Sequence, residues 1–229
     1  MPKLFAKLVG LFFGFRSRAR IVGYAPYPDA AINTIYNLLF CDDLALAEAN
    51  YAAIGAGPWK ILLATPADQN ALKALAADTA QEARVRVLAY NALRKLSVAP
   101  QKKELLAIIV EVGLKEGLET LAAYRDGQAT YIDKFGQTTA WQTPGREIRA
   151  GIDKLFRAGE AVVAQTGPWD KSRLVPPPQG VVRITLLVSD GLYFGHGPIA
   201  VLQRDPIGGP VITIAAELLT LLTGQPNAQ

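Results

Sequence analysis

ELLAIIVEVGLKEGLETLAAYRDGQATYIDKFGQTTAWQ, residues 104–142, is the stretch whose reading decides the fold. Four β-rich runs, ELLAIIVEV, GLETLAAYR, QATYIDK and QTTAWQ, are separated by the turn signals Lys115-Glu116-Gly117, Asp126-Gly127 and Phe135-Gly136. Short apolar and β-branched runs cut by glycine-containing turns predict a four-stranded antiparallel meander. Such a sheet needs a helix over one face, and one follows directly. After Thr143-Pro144, the residues Ile148, Ile152, Leu155, Phe156, Val162 and Val163 recur at helical spacing as far as Gly167.

Moving toward the C-terminus, KSRLVPPPQG (171–180) is the one extended proline-rich segment and predicts a polyproline arm along the surface. VVRITLLVS then predicts a strand, LYFGHGPIAVLQ its partner, and VITIAAELLTLL a closing helix after DPIGGP.

On the N-terminal side, Asp29 caps a helix over about 30–40 in which Ile32, Ile35, Tyr36, Leu39 and Phe40 share a face. Asp42-Asp43 caps an alanine-rich helix ending near Ile54, before GAGP. WKILLA, residues 59–64, reads as a short buried strand, and Thr65-Pro66-Ala67-Asp68 as the start of a helix. Thr79 with Glu82 forms a second capping box that breaks the helical stretch to Leu96 near Asp78. Arg84, Arg86, Arg94, Lys95, Lys102 and Lys103 lie opposite the apolar arc of Val85, Leu88, Ala92 and Leu96 and read as a solvated face. A faint internal echo joins Gly57-Pro58-Trp59 to Gly167-Pro168-Trp169.

The expected class is α+β: a helical N-terminal half with one short strand, a four-stranded antiparallel meander, a C-terminal strand pair, and helices packed on the sheet. Residues 21–229 read as one domain, with a division into two lobes near 98–103 as the alternative, and residues 1–20 as a separate amphipathic basic segment.

The chain has 229 residues, of which 50% are hydrophobic and 19% charged, so a core forms without disulfide or metal. One cysteine (Cys41), one histidine (His196) and one methionine leave no set able to cage zinc and no internal disulfide, and no cofactor is expected. The net charge of +4 is local: Lys3, Lys7, Arg16, Arg18 and Arg20 all precede the first acid, Asp29. Without those five bases, 19 basic residues face 20 acidic ones, so the body is neutral and nucleic acid is not an expected partner.

In MPKLFAKLVGLFFGFRSRAR the residues Leu4, Phe5, Leu8, Leu11, Phe12 and Phe15 share a helical face, with Arg16, Arg18 and Arg20 beyond it. Lys7 interrupts the apolar run, and the segment is too short to cross a bilayer. It suits either an anionic membrane surface or a partner, which includes the protein's own core or a second copy.

The remaining candidate is SDGLYFGHGP, residues 189–198. Asp190-Gly191 signals a tight hairpin, with a bulge around Gly195 accounting for the other glycines. As a ligand loop, Ser189, Asp190, Tyr193, Gly195, His196 and Gly197 would combine backbone amides with a titratable group and a stacking ring. Strand alternation sets Tyr193 and His196 on opposite faces, which favours the hairpin reading. A Cys41–His196 pair is the only histidine-based nucleophile the composition allows, and no phosphate loop, nucleophile elbow or dinucleotide fingerprint is present. The sequence therefore favours a non-enzymatic binding or scaffolding protein of the cytoplasm, peripheral at a membrane through residues 3–20, with a protein partner or self-association. A small-molecule binder or enzyme built on the 189–198 loop is the alternative.

Overall fold

The computed structural model describes residues 23–51 and 57–224. Strands β1 (Leu105–Gly113), β2 (Leu118–Tyr124), β3 (Ala129–Ile132) and β4 (Thr138–Trp141) form the expected meander. The C-terminal pair, β5 (Val181–Val188) and β6 (Gly191–Pro198), joins it through β1, giving one antiparallel sheet ordered β4-β3-β2-β1-β5-β6.

The central strand β1 carries the longest apolar run, and the reason is that both faces of the sheet are covered. Ala107, Ile109, Ala122, Tyr124, Ile132 and Leu187 pack under the N-terminal helices. These are α1 (Ala30–Leu39), α2 (Leu44–Tyr51), α3 (Pro58–Leu62), α4 (Gln69–Ala77) and α5 (Ala83–Lys95). Ile108, Val110, Leu121, Ile184, Leu186 and Tyr193 pack on the opposite face against α6 (Arg146–Gln165) and α8 (Gly208–Gly224). The four-residue helix α7 (Ile199–Leu202) follows β6 directly. On α6, a Cβ at Gly159 would stand 2.6 Å from Ile108 Cδ1 and 2.9 Å from Leu105 Cδ2, so glycine there lets the helix settle close on the sheet.

Several local expectations are corrected. WKILLA does not form a strand: Gly57 and Pro58 open α3, whose Trp59 and Leu62 are buried together three residues apart. A short apolar run fits either element, and the proline at the first helical position settles it. The next helix begins at Gln69 rather than Thr65, because Asp68 is its N-cap and accepts from the amides of Asn70 and Ala71. The break after α4 is present, but Thr79 and Glu82 do not form a capping box. Asp78 takes the Ala80 amide, and the first amide of α5, Ala83 N–H, donates to Asp126 of the β2–β3 turn at 3.0 Å. Asp43 alone caps α2, accepting from Leu46, and the expected end near Ile54 lies outside the described residues.

The largest correction concerns the basic face of α5. Arg84 and Arg86 are 8% and 4% exposed. Arg84 stacks over the Tyr124 ring at 4.1 Å and donates to Thr130, while Arg86 binds Glu104 bidentately and donates to the Ala76 carbonyl. α5 is packed between α4 and the sheet, so Arg84 and Arg86 meet distant partners rather than water, whereas Lys95, Lys102 and Lys103 are exposed as expected. The two GPW segments also differ: one opens α3, whereas the other is extended, with Trp169 bridging Leu192.

Candidate functional site

The hairpin β5–β6 turns at Ser189-Asp190, and its register runs unbroken from Val181↔Pro198 to Val188↔Gly191, so there is no bulge at Gly195. Ser189 is fully buried and clips the turn to the start of β1: it exchanges bonds with Glu104 and donates from its hydroxyl to the Lys102 carbonyl at 2.7 Å. Asp190 accepts from the Tyr193 hydroxyl at 2.9 Å and sits 3.7 Å from the Lys103 ammonium. Ser189, Asp190 and Tyr193 thus lock the hairpin. His196 lies on the other face, exposed, its ring 6.1 Å from that of Phe194, which in turn meets Trp169 edge-on at 4.9 Å. Gly195 and Gly197 border open space.

Cys41 is not brought to His196. It follows α1 beside β2, where Tyr124 donates to the Leu39 carbonyl, whereas β6 is the edge strand three places away. Burial pushes the Cys41 thiol up to about 12, which leaves it without nucleophilic thiolate at neutral pH. Leu4, Phe5, Leu8, Phe12, Phe15, Arg16, Arg18 and Arg20 lie outside the described residues.

Two features of this region went unforeseen. The first is the outer edge of β6. Trp169 donates its amide to the Leu192 carbonyl, which therefore points away from β5. Backbone groups alternate along a strand, so Phe194 and His196 also turn their N–H and C=O groups outward. Among the described residues nothing bonds to them.

The second is a buried charge cluster on the helical face. The registers place Glu111 of β1 opposite Arg183 of β5, with Thr185 two residues along on the same face and His196 and Phe194 the neighbours on β6. Glu111, Arg183 and Thr185 are 0%, 3% and 1% exposed. Tyr36 of α1 donates to Glu111 Oε1 at 2.6 Å. Arg183 donates to the carbonyls of Leu174 and Val175 and so holds the 171–180 arm across the strand end. The arm is more than a surface wrap. Its Arg173 plunges among the rings of Tyr24, Tyr36 and Phe40, 3.8 Å above the last, and binds Asp42 and Asn37 at 2.9 Å each.

Burial raises the Glu111 carboxyl above its ordinary range, although the Tyr36 hydrogen bond and the Arg183 and Arg173 charges oppose the shift. The same burial, with the Glu111 charge, raises Tyr36. Glu111 and Arg183 are the single charges inside the apolar runs LLAIIVEV and VVRITLLV, which is the signal that could have found them. Nothing local marks Arg173 as different from the other bases of the chain.

Among the described residues no group of three His, Cys, Asp or Glu side chains could hold a metal ion, and no helix is long and apolar enough to cross a membrane. No protein-family model matches the chain, and no curated protein or solved structure is significantly similar to it.

Proposed function

We propose that this protein is a non-enzymatic scaffolding protein that self-associates through the outer edge of β6, each copy pairing antiparallel with another about a two-fold axis near His196. The observation that carries the reading is that edge itself, open at Phe194 and His196 among the described residues. An antiparallel edge is its own complement under two-fold rotation, since its N–H and C=O groups face the same groups in reverse order. Strands that must stay single are protected by charge, bulges or short length. From Gly191 to Gln203 the chain carries no charged side chain, β6 has no bulge, and Val201 just beyond it is 64% exposed. The opposite edge, β4, is only four residues long.

Sedimentation velocity over a concentration series tests this. The wild-type chain is expected to reach twice the monomer mass, and Gly195→Lys to remain monomeric, because a lysine there enters open space yet sets like charges against each other across the axis. A chain that stays monomeric throughout, or a dimer indifferent to both Gly195→Lys and Gly197→Lys, defeats the proposal. A monomer that instead binds an extended peptide at the amides of Phe194 and His196 replaces the second copy with a foreign strand.

In this reading residues 3–20 bring the assembly to an anionic membrane surface, through the phenylalanine face and the three arginines at 16, 18 and 20. Sedimentation with phosphatidylserine vesicles is expected to weaken as salt rises and to vanish when residues 1–20 are deleted. Binding that survives the deletion removes the anchor from the proposal.

A further inference from the structure

The helical face beneath the arm carries a separate observation. Among the described residues, three buried polar atoms there have no hydrogen-bond partner: Glu111 Oε2, Arg183 Nε and Thr185 Oγ1. Native proteins leave few such groups, because a buried polar atom without a partner loses its bonds to water and gains none in return. These three are not scattered. Glu111 and Arg183 are cross-strand neighbours, and Thr185 is the next residue of β5 on the same face, so their Cβ atoms stand within about 7 Å of one another. Glu111 Oε2 and Arg183 Nη1 are 3.7 Å apart, facing without closing into a hydrogen bond.

The geometry points to a binding site for a small neutral hydroxyl-bearing molecule, held by Glu111, Arg183 and Thr185 and covered by the 171–180 arm. A carboxylate oxygen accepts, a guanidinium N–H donates, and a threonine hydroxyl does either. A hydroxyl group answers all three, since each one both donates and accepts. Charge selects against ions: Glu111 and Asp42 balance Arg173 and Arg183, so an anion meets the Glu111 carboxylate and a cation meets Arg183. Phe194, opposite Thr185 and on the same face, adds an apolar ring beside the polar groups. The inference is independent of the β6 edge, which uses outward backbone groups rather than these side chains.

The test is a protein-observed NMR titration of the intact chain with glycerol, erythritol, ribose and glucose, with acetamide, malate and putrescine as comparators. Saturable shifts at Thr185 and Arg183 are expected from at least one polyol, none from malate or putrescine, and none from any polyol in Thr185→Val. Saturation separates binding from the general, non-saturating stabilisation that polyols give every protein. Thr185→Val keeps the side chain's shape, so it is also expected to raise the Tm of the ligand-free chain by about 2–4 °C, by removing an unpaired hydroxyl. Two results overturn the proposal: no saturable shift from any polyol, or a fall in Tm on Thr185→Val, which means that a resident water already satisfies the hydroxyl.

Discussion

Replacing Arg173 with alanine is expected to lower stability by about 3–5 kcal/mol, because it empties a buried site in which the guanidinium packs on three aromatic rings and reaches out to the partly exposed Asp42 carboxylate. Arg173 is 9% exposed, and its guanidinium serves the Asp42 carboxylate, the Asn37 amide oxygen and three aromatic rings. Stacking contributes alongside the charge, so the loss exceeds that of a surface pair. Tm is expected to fall by roughly 6–20 °C. The arm should loosen as well, since the Arg173 side chain fastens its start to Asn37 and Asp42, and cleavage within 171–180 under limited proteolysis should become faster. Arg173→Lys keeps the charge but not the planar fork and should recover only part of the loss. A cost below about 1 kcal/mol for Arg173→Ala, the size of an exposed pair, would show that the arm is held by something else.

The second large effect concerns Glu111 and Arg183. Arg183→Ala strands a fully buried carboxylate and frees the carbonyls of Leu174 and Val175, at an expected cost of about 3–5 kcal/mol. The double replacement Glu111→Leu with Arg183→Met is expected to recover about 2–4 kcal/mol of that, because both positions lie in an otherwise apolar sheet face and the desolvation of two charges disappears with them. Urea titrations of the wild type, Arg183→Ala and the double variant decide it. A double variant no more stable than Arg183→Ala would mean that the charged pair is worth its desolvation.

The pH dependence has a definite sign. The folded Glu111 carboxyl holds its proton more tightly than the unfolded one, so its contribution is fully present below about pH 4.3 and is lost as pH rises through the raised folded value. Measured from pH 4 to 8, wild-type stability should therefore decline relative to Glu111→Gln, and the cost of Arg183→Ala should grow over the same range. A wild type that gains on Glu111→Gln with rising pH would show that the two arginines, not burial, govern the carboxyl.

How much of this was legible follows from the range of each interaction. The meander, α6, α8 and the β5–β6 hairpin are written in runs of consecutive residues, where a period of two or of 3.6 and a glycine turn carry the information locally. The Asp29 cap of α1 is likewise local, its carboxylate meeting an amide two residues on. WKILLA failed because five or six apolar residues satisfy both periods at once. The candidate loop was legible as a hairpin and as two non-converging faces, but its open edge was not, since an edge exists only once the neighbouring strands are placed.

By itself, then, the sequence determined the class, the strands of the meander, the helices that cover one face of the sheet, and the neutrality of the body. Only the tertiary structure decided that β5 lies against β1, that both faces are covered, and that β6 is left outermost. It alone also decided that Arg84, Arg86, Arg173 and Arg183 are interior. The physical reason is distance along the chain: Arg173 meets Asp42 across 131 positions and Tyr36 meets Glu111 across 75. An arginine with water around it and one with a buried carboxylate beside it are the same letter, and what separates them is the partner that folding delivers.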